Sequence, residues 1–200
     1  MKAMNKGILL IIILSQIVFL GFLPVLTELT LYLHYTVLLV LWFCYSSLVV
    51  FFIYLLKKEK ITLSKEVFHA LFTFYSLGLF ILLFFRPSLH SERMYNLYPF
   101  NTIRYYMYEQ QDFLISFYNI SANIGLFIPF GIYYYYVSGK ATMTKLLLTA
   151  TGVIGLIECM QFFTRRGSLD IDDLLLNVIG VAFGYLISPF VKKVIVLKEM

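Results

Sequence analysis

Six runs of about twenty mainly apolar residues constrain this chain more than any other feature of its sequence. A helix needs about 20 such residues to cross the roughly 30 Å hydrocarbon core of a bilayer. The runs cover residues 7–26, 31–56, 67–85, 116–137, 145–163 and 172–191. They predict an all-α fold, a polytopic membrane helical bundle with about six transmembrane helices.

The composition excludes the other broad classes of protein. Apolar side chains make up 60% of the 200 residues and charged ones 14%, whereas soluble domains have about 45–50% and about 25%. Disorder is excluded because the apolar material is continuous. The first run follows Lys2 and Lys6, as in a signal peptide, but it is too long and lacks a small-residue cleavage site. We therefore expect an uncleaved first span.

Charged residues predict the orientation of the bundle. If both termini are cytoplasmic, all eleven lysines fall on the cytoplasmic side and all five arginines fall outside, in agreement with the positive-inside rule. Three of the eleven acids lie on the lysine side and eight on the arginine side. We refer below to the lysine side and the arginine side. The guanidinium group suits bidentate contacts with carboxylate or phosphate, so the arginine side is the more promising place for a binding site.

Several common functions have no support in the sequence. Cys44 and Cys159 each lie in an apolar run, without the spacing of a disulfide framework or a metal site. The pI of about 9.1 does not indicate a nucleic-acid partner, because the basic residues lie at the ends of spans. The three histidines are isolated and no zinc spacing exists, so we predict no metal site. A hard cation held by carboxylates and amides stays open, and no cofactor is identified.

The longest stretch between spans, residues 86–115, is rich in aromatic residues. So many aromatic side chains do not suit a solvated loop, and we expect the segment to lie among the lipid headgroups. Asn101 is a candidate cap for a short interfacial helix. An aromatic belt explains the individual tyrosines equally well.

Polar residues occur in the three last spans at the level of the arginine side. Asn119 and Asn123 lie four residues apart on the fourth span, hence on one face. A role in a functional site and simple hydrogen bonding between helices explain the presence of these two asparagines equally well.

Glu158 is the most informative residue of the fifth span. It lies about 7 Å below the outer end of the helix, where a carboxylate costs up to about 2.5–3.5 kcal/mol unless it faces the bundle interior. Gln161 and Arg165 follow at helical spacing, and we expect all three on one face. The alternative to a functional acid is a structural ion pair of Glu158 with Arg165 or Arg166.

The sixth span begins with three acids, Asp170, Asp172 and Asp173, and continues with Asn177. Helix capping explains Asp170 and one of the other two, but not the whole set. Three spans thus bring polar groups to one level on one side, and we expect them to converge into a single site.

The residues from 92 to 185 resemble the VanZ-like family of bacterial membrane proteins. Four motifs occur in the family's order: ER-x-x-NL-x-PF-x-TI at 92–103, N-x(3)-N-x(3)-F-x-PFG at 119–131, IE-x-x-Q at 157–161, and R-x(3)-D-x-DD-x(3)-N-x-x-G-x(3)-GY at 166–185. The tyrosine run after PFG departs from the proline that the family often has there. The resemblance implies a multi-pass protein of the bacterial plasma membrane with a cell-envelope role, since the family's namesake is associated with low-level teicoplanin resistance.

The resemblance also suggests a division of the chain into three parts. Residues 1–66 would hold two transmembrane helices and a basic cytoplasmic loop, and residues 67–191 a VanZ-like core with its outer loop at 86–115. Residues 192–200 would form a basic cytoplasmic tail.

Two hypotheses of different classes follow for the site. In the first, the protein is an enzyme that acts on an envelope lipid or a lipid-linked cell-wall precursor, with Glu158 as general acid or base and Asp172 or Asp173 as its partner. In the second, the protein is a non-catalytic module that binds such a lipid and masks or organises envelope components. The candidate binding residues are Arg93, Asn96, Asn119, Asn123, Gln161, Arg165, Arg166, Asp170 and Asn177.

Overall fold

The computed structural model describes residues 6–29, 36–85, 95–110, 113–139 and 142–198. The described elements, in chain order, are α1 (Lys6–Leu29), α2 (Thr36–Leu56), β1 (Ile61–Leu63), α3 (Lys65–Phe84), β2 (Tyr95–Asn96), α4 (Asn101–Arg104) with a π-helical turn (Tyr105–Glu109), α5 (Phe113–Val137), α6 (Met143–Thr164), β3 (Leu169–Asp170), α7 (Ile171–Val191) and β4 (Ile195–Leu197). In these ranges, six helices are long and apolar enough to cross a membrane. The prediction of a six-span, all-α membrane protein is confirmed.

The helices extend slightly beyond the apolar runs that predicted them. For example, α5 begins at Phe113 and α6 at Met143, each a few residues before the run that we identified. Hydropathy detects the part of a helix that suits hydrocarbon, while backbone hydrogen bonding continues into the interfacial residues on either side.

The chain divides into two compact units, and the first comprises residues 1–87 and 192–200. Its helices α1, α2 and α3 pack in sequence order. Polar contacts join α1 to α2, where the indole N–H of Trp42 donates a 2.6 Å hydrogen bond to Gln16 and the hydroxyl of Tyr45 donates to the carbonyl of Ser15. Within this unit α3 packs against α2, and the predicted division of the chain near residue 67 stays a prediction.

The C-terminal segment of the first unit is an ordered structure. Strand β4 pairs in parallel with β1, with Ile61 opposite Ile195 and Leu63 opposite Leu197. Val194 precedes the strand and is only 1% exposed, and its carbonyl accepts a hydrogen bond from the backbone N–H of Ile61 at 2.7 Å. The stretch that we expected to be a basic tail is therefore attached to the connection between α2 and α3.

The second unit comprises residues 88–191, and its tightest packing is between α5 and α7. A side chain at Gly180 or Gly184 would overlap the backbone carbonyl of Ile124 or Ile128 respectively. Gly131 has the same relation to the carbonyl of Val181. Residue numbers on the two helices increase together along this contact, so α5 and α7 run parallel with their backbones almost touching.

Two short parallel pairings agree with the predicted topology. Strand β2 pairs with β3, with Asn96 opposite Asp170, and both strands belong to connections predicted on the arginine side. Strands β1 and β4 belong to segments predicted on the lysine side. Each pairing therefore joins segments that six membrane crossings bring to a common side.

Candidate functional site

Asp172 in the first turn of α7 is fully buried and holds the beginning of α4. The backbone N–H of Phe100 donates to Oδ1 of Asp172 at 2.6 Å, and those of Thr102 and Ile103 donate to Oδ2 at 2.7 and 3.2 Å. Amides at a helix N-terminus lack partners within the helix. One carboxylate from a distant part of the chain thus supplies the missing acceptors.

This capping differs from the expectation for Asn101. Asn101 is the first residue of α4, and the cap position belongs to Phe100, which has a left-handed backbone with φ of 66°. A bulky residue in this conformation is strained. The hydrogen bond to Asp172 keeps it there, so the acid that fixes this turn was the one we had considered for catalysis.

Asp170 connects the same segment to α7 through side chains. Its Oδ2 accepts a 2.6 Å hydrogen bond from the hydroxyl of Thr102, and its Oδ1 accepts one of 3.2 Å from the amide of Asn96. Oδ1 also accepts the backbone N–H of Asp172 at 2.8 Å, which caps α7. Asp170 therefore serves as the expected cap and also as an anchor for residues 95–110.

Thr102 is a residue of this network that the candidate set did not include. Its hydroxyl donates to Asp170 and accepts the amide of Asn96 at 2.9 Å. The sequence did contain a signal for this residue, because Thr102 belongs to the first of the four spaced motifs.

Asp173 faces α5, where the amide of Asn123 donates a 2.6 Å hydrogen bond to its Oδ1. Glu158 on α6 is 4% exposed and lies close enough to Asp173 and Asp170 to interact electrostatically with both. Its carboxyl also accepts the backbone N–H of Asp170. The three spans that carry Asn123, Glu158 and Asp173 converge at this point.

Gln161 and the two arginines occupy the end of α6. Gln161 is buried, and its side chain lies beside Gly167 in the connection to α7. Arg165 has a left-handed backbone with φ of 58°. The backbone N–H of Arg166 donates to the carbonyl of Gln161 at 2.9 Å, and that of Arg165 donates to Phe162 at 3.3 Å, which is the Schellman pattern that ends a helix.

This turn directs Arg165 away from the face of Glu158. Both Arg165 and Arg166 are exposed, and neither forms an ion pair with Glu158 in the described part of the chain. The arginines therefore lie at the surface of the second unit, near the exposed Phe163, and the structural ion pair that we considered as an alternative is not observed.

The other predicted residues have separate positions. The amide of Asn119 donates to the carbonyl of Ile115 in its own helix at 2.8 Å, so this contact is local and does not reach α7. Asn177 lies one turn below Asp173, is 4% exposed, and its Oδ1 has no hydrogen-bond partner among the described residues. Arg93 lies outside the described residues.

The inner part of the site presents carboxylate and amide oxygens. Asp173 accepts the amide of Asn123 and Glu158 accepts the backbone N–H of Asp170, while Oδ1 of Asn177 has no hydrogen-bond partner among the described residues. Within the described ranges, no three side chains of His, Cys, Asp or Glu are grouped so as to hold a metal ion. The unpartnered Oδ1 of Asn177 suits a ligand that brings its own hydrogen-bond donor.

The surface around the site is strongly apolar and aromatic. Large side chains of the 95–117 region are more than half exposed, namely Tyr95, Leu97, Tyr98, Phe100, Met107, Tyr108, Phe113 and Phe117. Arg104 and Glu109 form an exposed ion pair at 3.6 Å in the same region. Aromatic side chains with this exposure are typical of the membrane interface.

Comparison with known proteins identifies the family of the chain. No curated protein and no solved structure gives a significant match to the chain. A family model described as VanZ/LLP1 matches residues 72–192, which include every described candidate residue and more than half of the chain. The chain belongs to the VanZ-like family.

Proposed function

We propose that the protein acts in the bacterial plasma membrane on the headgroup of an envelope lipid or a lipid-linked cell-wall precursor, and that the reaction takes place on the arginine side. The observation that carries this proposal is the meeting of Glu158, Asp173 and Asn123 from three membrane-spanning helices. Ionisable residues are rare within membrane spans because they are costly there, and they commonly mark a functional site.

The two acids differ in what surrounds them, which suits acid–base chemistry. Asp173 accepts the amide of Asn123, and Glu158 accepts a backbone N–H while 4% of its surface is exposed. Neighbouring carboxyl groups that are shielded from water favour one proton between them, because two negative charges repel. The ionised group can then accept a proton from a hydroxyl or ammonium of the headgroup, while the protonated group can donate one, so the pair can act as general base and general acid.

The remaining residues fit the recognition of a lipid headgroup. The acceptors of the inner site match hydroxyl or ammonium donors. Arg165 and Arg166 at the surface suit the phosphate that such a headgroup carries. Asp170 and Asp172 use their oxygens on residues 96–103, so we assign both to positioning rather than to chemistry.

The test compares cells that lack the protein with cells that express the wild type, Glu158→Gln or Asp173→Asn. We expect a lipid or wall fragment detected by mass spectrometry to change with the wild type and to return to the deletion pattern with either variant. Teicoplanin susceptibility is measured in parallel. The amount of protein in the membrane should stay unchanged.

Glu109→Gln is the matched control, because it removes one carboxylate on the arginine side at an exposed ion pair. It should behave as the wild type. The non-catalytic binding module would be favoured by two results together. The phenotype would occur without any new or missing covalent species, and it would weaken gradually when Arg165 and Arg166 are replaced. Loss of the protein together with the phenotype would point to a structural role for the acids.

A further inference from the structure

A pocket of about 180 Å³ lies in the first unit, on the lysine side, and uses none of the residues of the candidate site. It is lined by Tyr54, Leu55, Lys58, Glu59, Lys193 and Val194. We propose that this pocket binds the phosphate group of an anionic lipid in the adjacent leaflet.

The two halves of the pocket come from distant parts of the sequence and are held together by backbone hydrogen bonds. Tyr54, Leu55, Lys58 and Glu59 belong to the end of α2, while Lys193 and Val194 precede β4. The pairing of β1 with β4 holds the segments together. Val194 is almost completely buried, which fixes the backbone at the pocket, while the side chain of its neighbour Lys193 is exposed.

The end of α2 is formed by a turn that usually contains glycine. The backbone N–H of Glu59 donates to the carbonyl of Tyr54 at 3.0 Å, and that of Lys58 donates to Leu55 at 3.1 Å, which is a Schellman motif. Lys58 occupies its left-handed position with φ of 55°. Glycine adopts this conformation without strain, so lysine at this position costs conformational energy. Lys58 also lines the pocket.

Charge and size identify the ligand class. The pocket has two lysines and one acid, and five more lysines of this unit lie in or near the segments that form it: Lys57, Lys60, Lys65, Lys192 and Lys198. A volume of about 180 Å³ admits several waters, each of about 30 Å³, or one phosphate group.

The apolar part of the lining favours a lipid as the source of that phosphate. Leu55 and Val194 contribute hydrocarbon beside the lysines. The pocket also lies at the end of the membrane-spanning helix α2, where lipid headgroups are found. Clusters of lysines next to spans attract anionic lipids by charge, and here two of the lysines line a pocket between paired segments.

The experiment uses the full chain purified in a neutral detergent and follows thermal unfolding while phosphatidylglycerol is titrated in. We expect the unfolding temperature to rise with phosphatidylglycerol and to stay constant with phosphatidylcholine. The double variant Lys58→Gly, Lys193→Gln should lower the apparent affinity about thirtyfold. Glycine at position 58 keeps the turn, so the charge is removed without disturbing the end of α2.

Lys145→Gln is the matched control, because it removes one lysine at the beginning of α6 and should leave the titration unchanged. The charge-preserving variant Lys58→Arg, Lys193→Arg should retain the response. If the double variant does not fold in neutral detergent, Lys58→Gly alone should weaken the affinity about fivefold. An equal rise with inorganic phosphate, or an unchanged titration in whichever charge-removing variant folds, would overturn the proposal.

Discussion

The side-chain amide of Asn123 donates a 2.6 Å hydrogen bond to the carboxylate of Asp173 and so joins α5 to α7 beside Glu158. Asn119, one turn earlier on α5, donates to the carbonyl of Ile115 in its own helix. The two asparagines are equivalent in the sequence pattern, yet one connects helices and the other does not.

Asn123→Ala is therefore expected to destabilise the second unit more than Asn119→Ala. The first change removes one hydrogen-bond donor from a partly buried carboxylate, which should cost about 1–2 kcal/mol, at the upper end for hydrogen bonds between membrane helices. The second removes a local contact and should cost less than about 0.5 kcal/mol. Unfolding in detergent measures both, and equal losses would contradict a specific role for Asn123.

Asp172→Ala should release residues 95–110 from the N-terminus of α7. The change removes the acceptor of three backbone amides at the beginning of α4, and each buried donor left without a partner costs about 1–3 kcal/mol. We expect faster hydrogen exchange at Phe100, Thr102 and Ile103, together with new protease cleavage in this segment.

Glu109→Gln lies in the same segment and affects an exposed ion pair, so it should change stability by less than about 0.5 kcal/mol. Unaltered exchange in Asp172→Ala would show that other contacts hold the segment.

Gly180→Ala and Gly184→Ala should each disrupt the contact of α5 with α7. The added methyl group would overlap a backbone carbonyl, and no side-chain rotation relieves such an overlap. We expect a loss of about 3 kcal/mol or more and less protein in the membrane. Gly152→Ala on α6 is the control, since a methyl group there meets nothing within 4 Å and should stabilise the helix by up to about 1 kcal/mol.

Arg165→Gly should separate the stability of the turn after α6 from the function of its guanidinium group. Arginine at φ of 58° costs about 1–2 kcal/mol relative to glycine, while glycine costs about 0.5–1 kcal/mol through its freedom in the unfolded chain. The unfolding temperature should thus stay equal or rise slightly. If the guanidinium binds the headgroup, the envelope phenotype should weaken in the same variant, whereas a lower unfolding temperature would contradict the assignment of the turn.

The sequence predicted the spans well because hydrocarbon imposes one simple requirement on a long segment. It also indicated that Glu158 faces the interior, since a carboxylate cannot face acyl chains cheaply. The burial of this residue, and its approach to Asp170 and Asp173, agree with that reasoning.

Other parts of the site depend on contacts that periodicity does not contain. Helical spacing placed Arg165 on the face of Glu158. However, α6 ends at Thr164 and Arg165 has a left-handed backbone, so the helical face does not continue to Arg165. The carboxylate of Asp172 finds its donors about 70 residues away. Strand β4 has three residues, too few for a pattern, and its partner β1 could not be identified from sequence.

The parallel contact between α5 and α7 is the tightest in the second unit. It therefore constrains how the other elements of the unit surround the candidate site. Three glycines allow the backbones of α5 and α7 to touch. Sliding or splaying of the two helices would break this contact. Helix α6 packs less extensively on α7, and residues 95–110 are held mainly through polar contacts. Under the proposed function, we expect a headgroup to reach Glu158 on the side of α6 or of the 95–110 segment, because the α5–α7 contact leaves no room between those two helices.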